Sequence, residues 1–234
     1  MSKKTVVIHQ PDFVPYLGFF HRFLHADYFI ALDHVQFVNG SSRAWTHRDK
    51  IKTAQGEKWL TVSVKKAPRD TAINQIELST EIDWRQDNLR LLEQSYRKAP
   101  FYAALMPQIE RLYSAPHYTL RDFNMASIEM LMDMLDVCLP WAYSSSLNPQ
   151  GTKNELLADL LKKVPATHYL SGVGAKDYFD SEPFEEAGIE VVWQDFSHPV
   201  YSQQFGNFLP YLSALDLLFN QGIEDSRNIL RSSK

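Results

Sequence analysis

The start of the chain decides the fold: residues 5–20 read TVVIHQPDFVPYLGFF. A short β-branched run ends in a His-Gln-Pro turn, and a helical pattern begins after the next proline and glycine. Open α/β sheets bind their ligands where a strand delivers its last residues into the turn before a helix. His9 occupies this position, and an imidazole changes its charge close to neutral pH. The stretch therefore predicts a strand, a site at its carboxyl end, and a helix.

A second strand follows after one helix and completes a βαβ unit. Residues 28–37 are mostly apolar and carry polar side chains in their second half. If the two strands are parallel and adjacent, four polar residues converge on one edge of the sheet: His9, Gln10, Asp33 and Gln36. We predict that His9 is a general base and that Asp33 orients its imidazole and raises its pKa.

The rest of the chain also alternates strands with helices. The helix between the first two strands has an apolar side, and its other side carries His21, Arg22 and His25. From about residue 80 to residue 137 the pattern is helical throughout. We predict an α/β fold with a Rossmann-like, mostly parallel open sheet and a helical insertion at about 80–137. A single domain spanning residues 1–234 is the simplest organisation for this length.

Composition narrows the class of protein. The 234 residues are 44% apolar and 22% charged, as in ordinary globular proteins, with a formal net charge of −4. This charge argues against general nucleic-acid binding. Cys138 is the only cysteine, which excludes an intramolecular disulfide, and we expect it to be buried in the packing. The sequence shows no secretory signal pattern and no long apolar span, which predicts a cytoplasmic protein.

Positive charge concentrates near the predicted site. The segment from Arg43 to Thr53 is polar and basic, includes Arg48 and Lys52, and precedes a strand predicted at residues 59–64. Cations beside a candidate site in an acidic protein favour an anionic ligand, such as a phosphate, a carboxylate or a nucleotide. A solvated connection between strands explains the segment equally well.

A glycine-containing turn follows the strand predicted at residues 168–171. Its candidate binding residues are Ser171, Gly172, Gly174 and Lys176. The glycines allow backbone N–H groups to approach an anion, and the lysine adds a point charge. The turn matches neither a Walker A motif nor a full dinucleotide fingerprint, and an ordinary strand-to-helix turn explains it as well.

The histidines suggest no metal centre. His21 and His25 have i, i+4 spacing without an evident third ligand, and no H-E-x-x-H pattern occurs. Asp33 and His34 are neighbours, so in a strand their side chains point to opposite faces. We predict no metal site, and the sequence leaves the identity of any cofactor open.

Several short blocks, spread over nearly the whole chain, carry a family resemblance. In order, they are Ile8-His9-Gln10-Pro11, Asp33-His34-Val35-Gln36-Phe37, Ile51-Lys52-Thr53, Trp59-Leu60-Thr61-Val62, Tyr169-Leu170-Ser171-Gly172, His198-Pro199 and Asp216-Leu217-Leu218-Phe219-Asn220. With these blocks the sequence resembles the WbqC-like protein family. Five residues carry over as site residues: His9, Gln10, Asp33, Gln36 and Arg48.

The resemblance implies a role in the biosynthesis of bacterial surface polysaccharides of the O-antigen type. The implied activity is transfer of an acyl or aminoacyl (glycyl-like) group to an amino sugar or sugar nucleotide. We expect a small anionic substrate held by Arg48, Lys52 and Lys176. Two other interpretations stay open. One is a nucleotidyltransferase-like enzyme, with His21 as the second histidine of its phosphate-binding motif, and the other is a non-catalytic binding or scaffold protein.

Overall fold

A computed structural model describes residues 3–40 and 44–233 of the chain. The strands in these ranges are β1 (Thr5–His9), β2 (Tyr28–Ala31), β3 (Arg48–Thr53), β4 (Gly56–Thr61), β5 (Trp141–Tyr143), β6 (His168–Ser171) and β7 (Glu190–Trp193). The α-helices are α1 (Leu17–Leu24), α2 (Trp84–Tyr96), α3 (Tyr102–Ser114), α4 (Leu120–Leu135), α5 (Lys153–Lys163), α6 (Glu182–Glu186) and α7 (Ala214–Ser232). None of these helices is long and apolar enough to cross a membrane.

Five strands form a parallel sheet in the order β5-β2-β1-β6-β7, which confirms the predicted Rossmann-like open sheet. β3 and β4 form a separate antiparallel hairpin. From β1 the chain proceeds to β2 and β5 on one side, and then crosses to β6 and β7 on the other. The order therefore reverses between β1 and β6, and ligands of open α/β sheets bind at such a switch point.

The two faces of β1 belong to two apolar clusters, because successive strand side chains point to opposite faces. Val7 packs in a cluster with Phe29 and with Ile128 of α4. Val6 packs in the other cluster, which includes Leu160 of α5. The helices α2, α3 and α4, which lie where the sequence predicts helices, thus share their core with one face of the sheet.

Two strands have other boundaries than the sequence predicts. β2 ends at Ala31, because residues 35–37 leave the sheet and pair with residues 71–73 through backbone hydrogen bonds. β4 begins and ends three residues earlier than predicted. It follows β3 through a two-residue turn and starts at Gly56, whose φ of 106° suits glycine. β6 has the predicted bounds.

Cys138 is exposed, so the expectation that it is buried is wrong. The chain after α4 is extended, and its alternate residues Val137 and Leu139 take the buried positions. Cys138 lies between them and faces outward, as the alternation of an extended chain requires.

Candidate functional site

β1 ends in His9, at the switch point between β1 and β6. The His9 side chain is 34% exposed and contacts Phe19 edge-on, with ring centroids 5.2 Å apart. Its Nδ1 lies 2.9 Å from the carbonyl oxygen of Gln10. Because a carbonyl oxygen can only accept, Nδ1 carries the hydrogen and Nε2 keeps its lone pair. His9 therefore offers a proton acceptor at the carboxyl end of the sheet.

Asp12 lies in the same turn, with Oδ2 3.5 Å from Nδ1 of His9. The Asp12 side chain is 13% exposed, and burial raises its pKa to about 7 against the opposing effects of the Arg22 charge and of the Thr46 side chain. Burial and the Arg22 charge lower the pKa of His9 to about 3, partly offset by the Gln10 hydrogen bond. Between these two pKa values a neutral imidazole stands beside a protonated carboxyl group, which suits a base and an acid in one site.

Arg22 of α1 adds a positive charge to the group of polar side chains around His9 and Asp12, which we call the crevice. Its side chain is buried, its Nε has no hydrogen-bond partner among the described residues, and the ion pairs formed by those residues do not include it. A Cβ on Gly172, directly after β6, would lie 3.6 Å from Nη1, so the guanidinium borders the end of β6. Burial lowers the pKa of Arg22, while Tyr16, Tyr169 and Asp12 act in the opposite direction. A buried guanidinium of this kind suits a phosphate or carboxylate ligand.

Asp49 on β3 adds a second buried carboxyl group. Its Oδ1 accepts a hydrogen bond of 2.6 Å from the backbone N–H of Lys50. Burial raises the pKa of Asp49 well above its ordinary value, and the charge of Asp12 acts in the same direction. Burial also raises the pKa of Tyr16. The charge of Arg22 lowers this pKa, and the charges of Asp12 and Asp49 raise it. The crevice thus combines a cation with acids whose ionisation is suppressed.

The turn after β1 is held by side chains from distant parts of the chain. Asn124 of α4 is buried and donates from Nδ2 to the carbonyl oxygen of Pro11, at 2.7 Å. Ser127 accepts from the backbone N–H of Val14, and Ser213 donates to the Val14 carbonyl oxygen. Val14 has a φ of 37°, which a β-branched residue adopts only when its surroundings impose it. α4 and the start of α7 therefore fix the shape of this turn.

Asp33 lies at the same edge of the sheet, but its hydrogen-bond partners do not include His9. Its buried carboxylate accepts hydrogen bonds from Ser144 Oγ at 3.0 Å, Ser145 N at 2.9 Å and Ser145 Oγ at 2.7 Å, and Arg121 lies 3.2 Å away. Burial alone would raise its pKa, but these hydrogen bonds together lower it. The predicted pairing of Asp33 with His9 is therefore wrong, because the carboxylate oxygens of Asp33 accept hydrogen bonds from the segment after β5. The carboxyl group near the His9 imidazole is that of Asp12.

The two predicted glutamines are separated in the structure. Gln10 stays in the crevice, where its Oε1 accepts a hydrogen bond of 2.9 Å from Thr46. Gln36 is exposed and donates to the carbonyl oxygen of Arg69, at 2.7 Å. The shortened β2 explains this difference, since Gln36 lies beyond the sheet. Arg43, at the start of the basic segment, lies outside the described residues.

Arg48 and Lys52, the two cations of the basic segment that we predicted to hold a substrate anion, contact groups of the protein itself. The Arg48 guanidinium lies 4.3 Å from the ring centroid of Trp59, on the β3–β4 hairpin. Lys52 is buried, and its Nζ donates to Oε1 of Gln203 at 3.1 Å and to the carbonyl oxygen of Asn207 at 2.5 Å. Lys52 therefore supports the segment before α7, and its use for a substrate anion stays a prediction without geometric support.

Only part of the glycine-containing turn after β6 lies near the crevice. Ser171 is buried, and Gly172 borders Arg22 as described above. The residues after Gly172 form a short 3-10 helix that contains Gly174 and Lys176. The Nζ of Lys176 lies 5.3 Å from the ring centroid of Trp193, on β7. Of this turn, Gly172 has the clearest connection to the crevice.

Sequence reasoning missed Asp12, Arg22 and Asp49. Asp12 stands three residues after His9 in a turn already singled out, so the spacing offered a signal. Arg22 looked like part of the polar side of α1, but both sides of this helix are covered, because it packs between the sheet and α7. Asp49 lies in the polar strand RDKIKT and offered no comparable signal.

The groups of the crevice have the chemistry for an anionic ligand next to a proton acceptor. Arg22 supplies the charge, His9 supplies the lone pair of Nε2, and Asp12 supplies a carboxyl group close to Nδ1. Within residues 3–40 and 44–233, no group of three or more His, Cys, Asp or Glu side chains is arranged to hold a metal ion.

The strand order defines the class of protein: an open, doubly wound α/β protein, with a cluster of polar side chains at its switch point. The chain belongs to the WbqC-like protein family, whose model matches residues 10–228. This match confirms the resemblance seen in the sequence blocks.

A relative from Mycobacterium tuberculosis (strain ATCC 25618 / H37Rv), the uncharacterized protein Rv1507c, is 33% identical over 223 residues. The match covers 94% of this chain and 95% of the relative. No solved structure matches the chain significantly.

Proposed function

We propose that this protein is a transferase that forms an amide on an amino sugar, using an activated acyl or aminoacyl donor. The observation that carries the proposal is the buried guanidinium of Arg22 in the same crevice as the neutral imidazole of His9. The guanidinium suits a phosphate or carboxylate group of a substrate, and the imidazole suits proton abstraction. The role in surface-polysaccharide biosynthesis rests on the family resemblance.

In the proposed reaction the amine of the acceptor attacks the carbonyl carbon of the donor. An N–C bond forms, the bond between the acyl group and its leaving group breaks, and the amine gives a proton to Nε2 of His9. His9 then passes this proton to the leaving group. Asp12 lies 3.5 Å from Nδ1 and has a pKa of about 7, so part of it is ionised at neutral pH. The ionised carboxylate stabilises the imidazolium.

Substrate binding prepares His9 for this role. The Arg22 charge is one of the causes that lower the pKa of His9. An anion paired with Arg22 offsets that charge, so the pKa of His9 rises towards the range of a useful base. Anion binding and proton abstraction are thus coupled through one guanidinium.

The contacts of His21 favour amide formation over nucleotidyl transfer. A second histidine would have to join His9 at the phosphates, whereas His21 Nε2 lies 3.3 Å from Nε2 of His25. The ring of His21 also packs against Phe196, with centroids 5.0 Å apart.

A thermal-shift screen tests the proposal with wild type, His9→Ala and Arg22→Met, and with His25→Ala as a control at an exposed histidine directly after α1. The panel contains nucleotide-linked amino sugars, acyl and aminoacyl thioesters and phosphates, and nucleoside triphosphates with Mg²⁺. A ligand at about 100 times its Kd adds roughly 2.7 kcal/mol of stability. We expect an amino-sugar nucleotide or an acyl donor to stabilise every variant except Arg22→Met.

Turnover of the stabilising pair is then followed by mass spectrometry. His9→Ala should lose about 10²–10⁴-fold in rate while it still binds. A fully active His9→Ala enzyme contradicts the role of His9. Stabilisation by triphosphates alone, with release of pyrophosphate, would favour the nucleotidyltransferase, and a protein that binds nothing in the panel would favour the scaffold.

A further inference from the structure

A group of aromatic side chains continues the crevice on the side of Tyr16. The Tyr16 ring lies 6.2 Å, between centroids, from both Phe196 and Tyr211. His198 lies 5.2 Å from Tyr211 and 6.0 Å from Phe196. We call Tyr16, Phe196, His198 and Tyr211 the aromatic cluster. The charge of Arg22 is close enough to lower the pKa of the Tyr16 hydroxyl, so the cluster begins beside the proposed anion site.

His198 contributes a hydrogen-bond acceptor that lacks a donor. Its Nδ1 lies 2.9 Å from the carbonyl oxygen of Pro199 and therefore carries the hydrogen. Its Nε2 is buried and has no hydrogen-bond partner in the part of the chain that the structure describes. Buried acceptors are normally satisfied, and an unsatisfied one weakens the fold. A ligand N–H group would satisfy Nε2 of His198.

Tyr211 contributes an exposed aromatic face. Its side chain is 55% exposed, although its ring packs against His198 and Tyr16. Its φ is 58°, a conformation that non-glycine residues rarely adopt and that clusters at binding sites. The backbone thus holds a large ring at the surface, next to a buried acceptor.

We propose that the aromatic cluster binds the base of a nucleotide whose phosphates pair with Arg22. The inference rests on the proposed function, because Arg22 is its anion site, and it specifies the acceptor as an amino sugar carried on a nucleoside diphosphate. The base stacks on the exposed ring of Tyr211. Because Nε2 of His198 is buried, the aromatic rings around His198 have to move for the base to donate an N–H group to it. Every common base has an aromatic face for stacking, so this contact alone tolerates different bases.

Calorimetric titration tests this base subsite with the four common nucleoside diphosphates and with inorganic pyrophosphate. The proteins are wild type, Tyr211→Ala, and Tyr118→Ala as a control at an exposed tyrosine before α4. We expect at least one nucleoside diphosphate to bind wild type about tenfold more tightly than pyrophosphate, and Tyr211→Ala to remove about tenfold of that affinity. Pyrophosphate should bind both tyrosine variants like wild type. His198→Phe should weaken the nucleotide and leave pyrophosphate unchanged.

The two proposals fail in different ways. Equal binding of nucleotide and pyrophosphate, or a Tyr211→Ala protein that behaves like Tyr118→Ala, overturns the base subsite and leaves the anion site of Arg22 intact. A Tyr211→Ala protein that also loses pyrophosphate overturns the subsite, because the ring would then support the anion site. Absence of binding by every probe to wild type overturns the anion site and the base subsite together.

Discussion

Replacing Arg22 by methionine should make the ligand-free protein more stable. Arg22 is only 4% exposed and forms none of the ion pairs among the described residues. Burial of an ion costs several kcal/mol in real proteins, and apolar replacement of buried charged groups often stabilises by about 1–4 kcal/mol. The guanidinium lies 5.5 Å from the ring centroid of Phe19, and loss of this contact offsets about 1 kcal/mol. We therefore expect a net gain of between about 0 and 3 kcal/mol.

Urea unfolding at pH 7, with and without pyrophosphate, measures this effect. For a domain of this size, 1 kcal/mol corresponds to roughly 2–4 °C in Tm, so a thermal melt should show the gain as well. The exposed Arg97→Met is the matched control and should change stability by less than about 0.5 kcal/mol. Pyrophosphate should stabilise wild type and Arg97→Met but not Arg22→Met. If Arg22→Met is instead less stable than wild type by more than about 1 kcal/mol, the guanidinium supports the fold and the reasoning is refuted.

Three other substitutions have defined outcomes. Folded Asp12 keeps its proton up to about pH 7, whereas the unfolded group ionises near 3.8. Wild type should therefore lose stability relative to Asp12→Asn as the pH rises from about 4 to about 7, by up to about 1.4 kcal/mol per pH unit, and an opposite slope in urea unfolding would contradict the pKa shift. Asp33→Asn should destabilise by about 2–4 kcal/mol in a thermal melt, because buried donors lose their charged acceptor, and a change below about 0.5 kcal/mol would contradict that structural role. Gly222→Ala combines a φ of 76° with a Cβ 2.6 Å from the Phe101 ring, so it should destabilise more than Gly206→Ala, which has a φ of 77° and open space. Equal losses would contradict the steric clash.

The elements that local periodicity specifies were predictable from the sequence. The parallel pair β1–β2, the helices between β4 and β5, and the bounds of β6 follow from alternation and from i, i+4 spacing. The second half of the predicted second strand failed for a non-local reason. Residues 35–37 find backbone partners at residues 71–73, and a window of ten residues holds no information about that competition.

The candidate site was predictable in position but not in its pairings. His9 stands at a strand end, which the chain itself reveals. Whether Asp12 or Asp33 meets its imidazole depends on Ser144 and Ser145, which reach Asp33 from 111 and 112 residues away. Arg22 seemed polar and peripheral because two of its neighbours in space, Tyr169 and Gly172, lie about 150 residues further along the chain.

The hydrogen bonds that hold the turn after β1 bear on the order in which the protein folds. Ser127 and Ser213 contact Val14 across 113 and 199 residues of sequence. Contacts of such separation form slowly, because the chain entropy of closing long loops opposes them. During synthesis, β1 and α1 leave the ribosome early, but the strained backbone at Val14 lacks one of its anchors until Ser213 has emerged. We therefore expect the turn after β1 to be among the last parts of the molecule to become ordered, and a nascent chain that stops before α7 to carry His9 on a turn that lacks the Ser213 hydrogen bond.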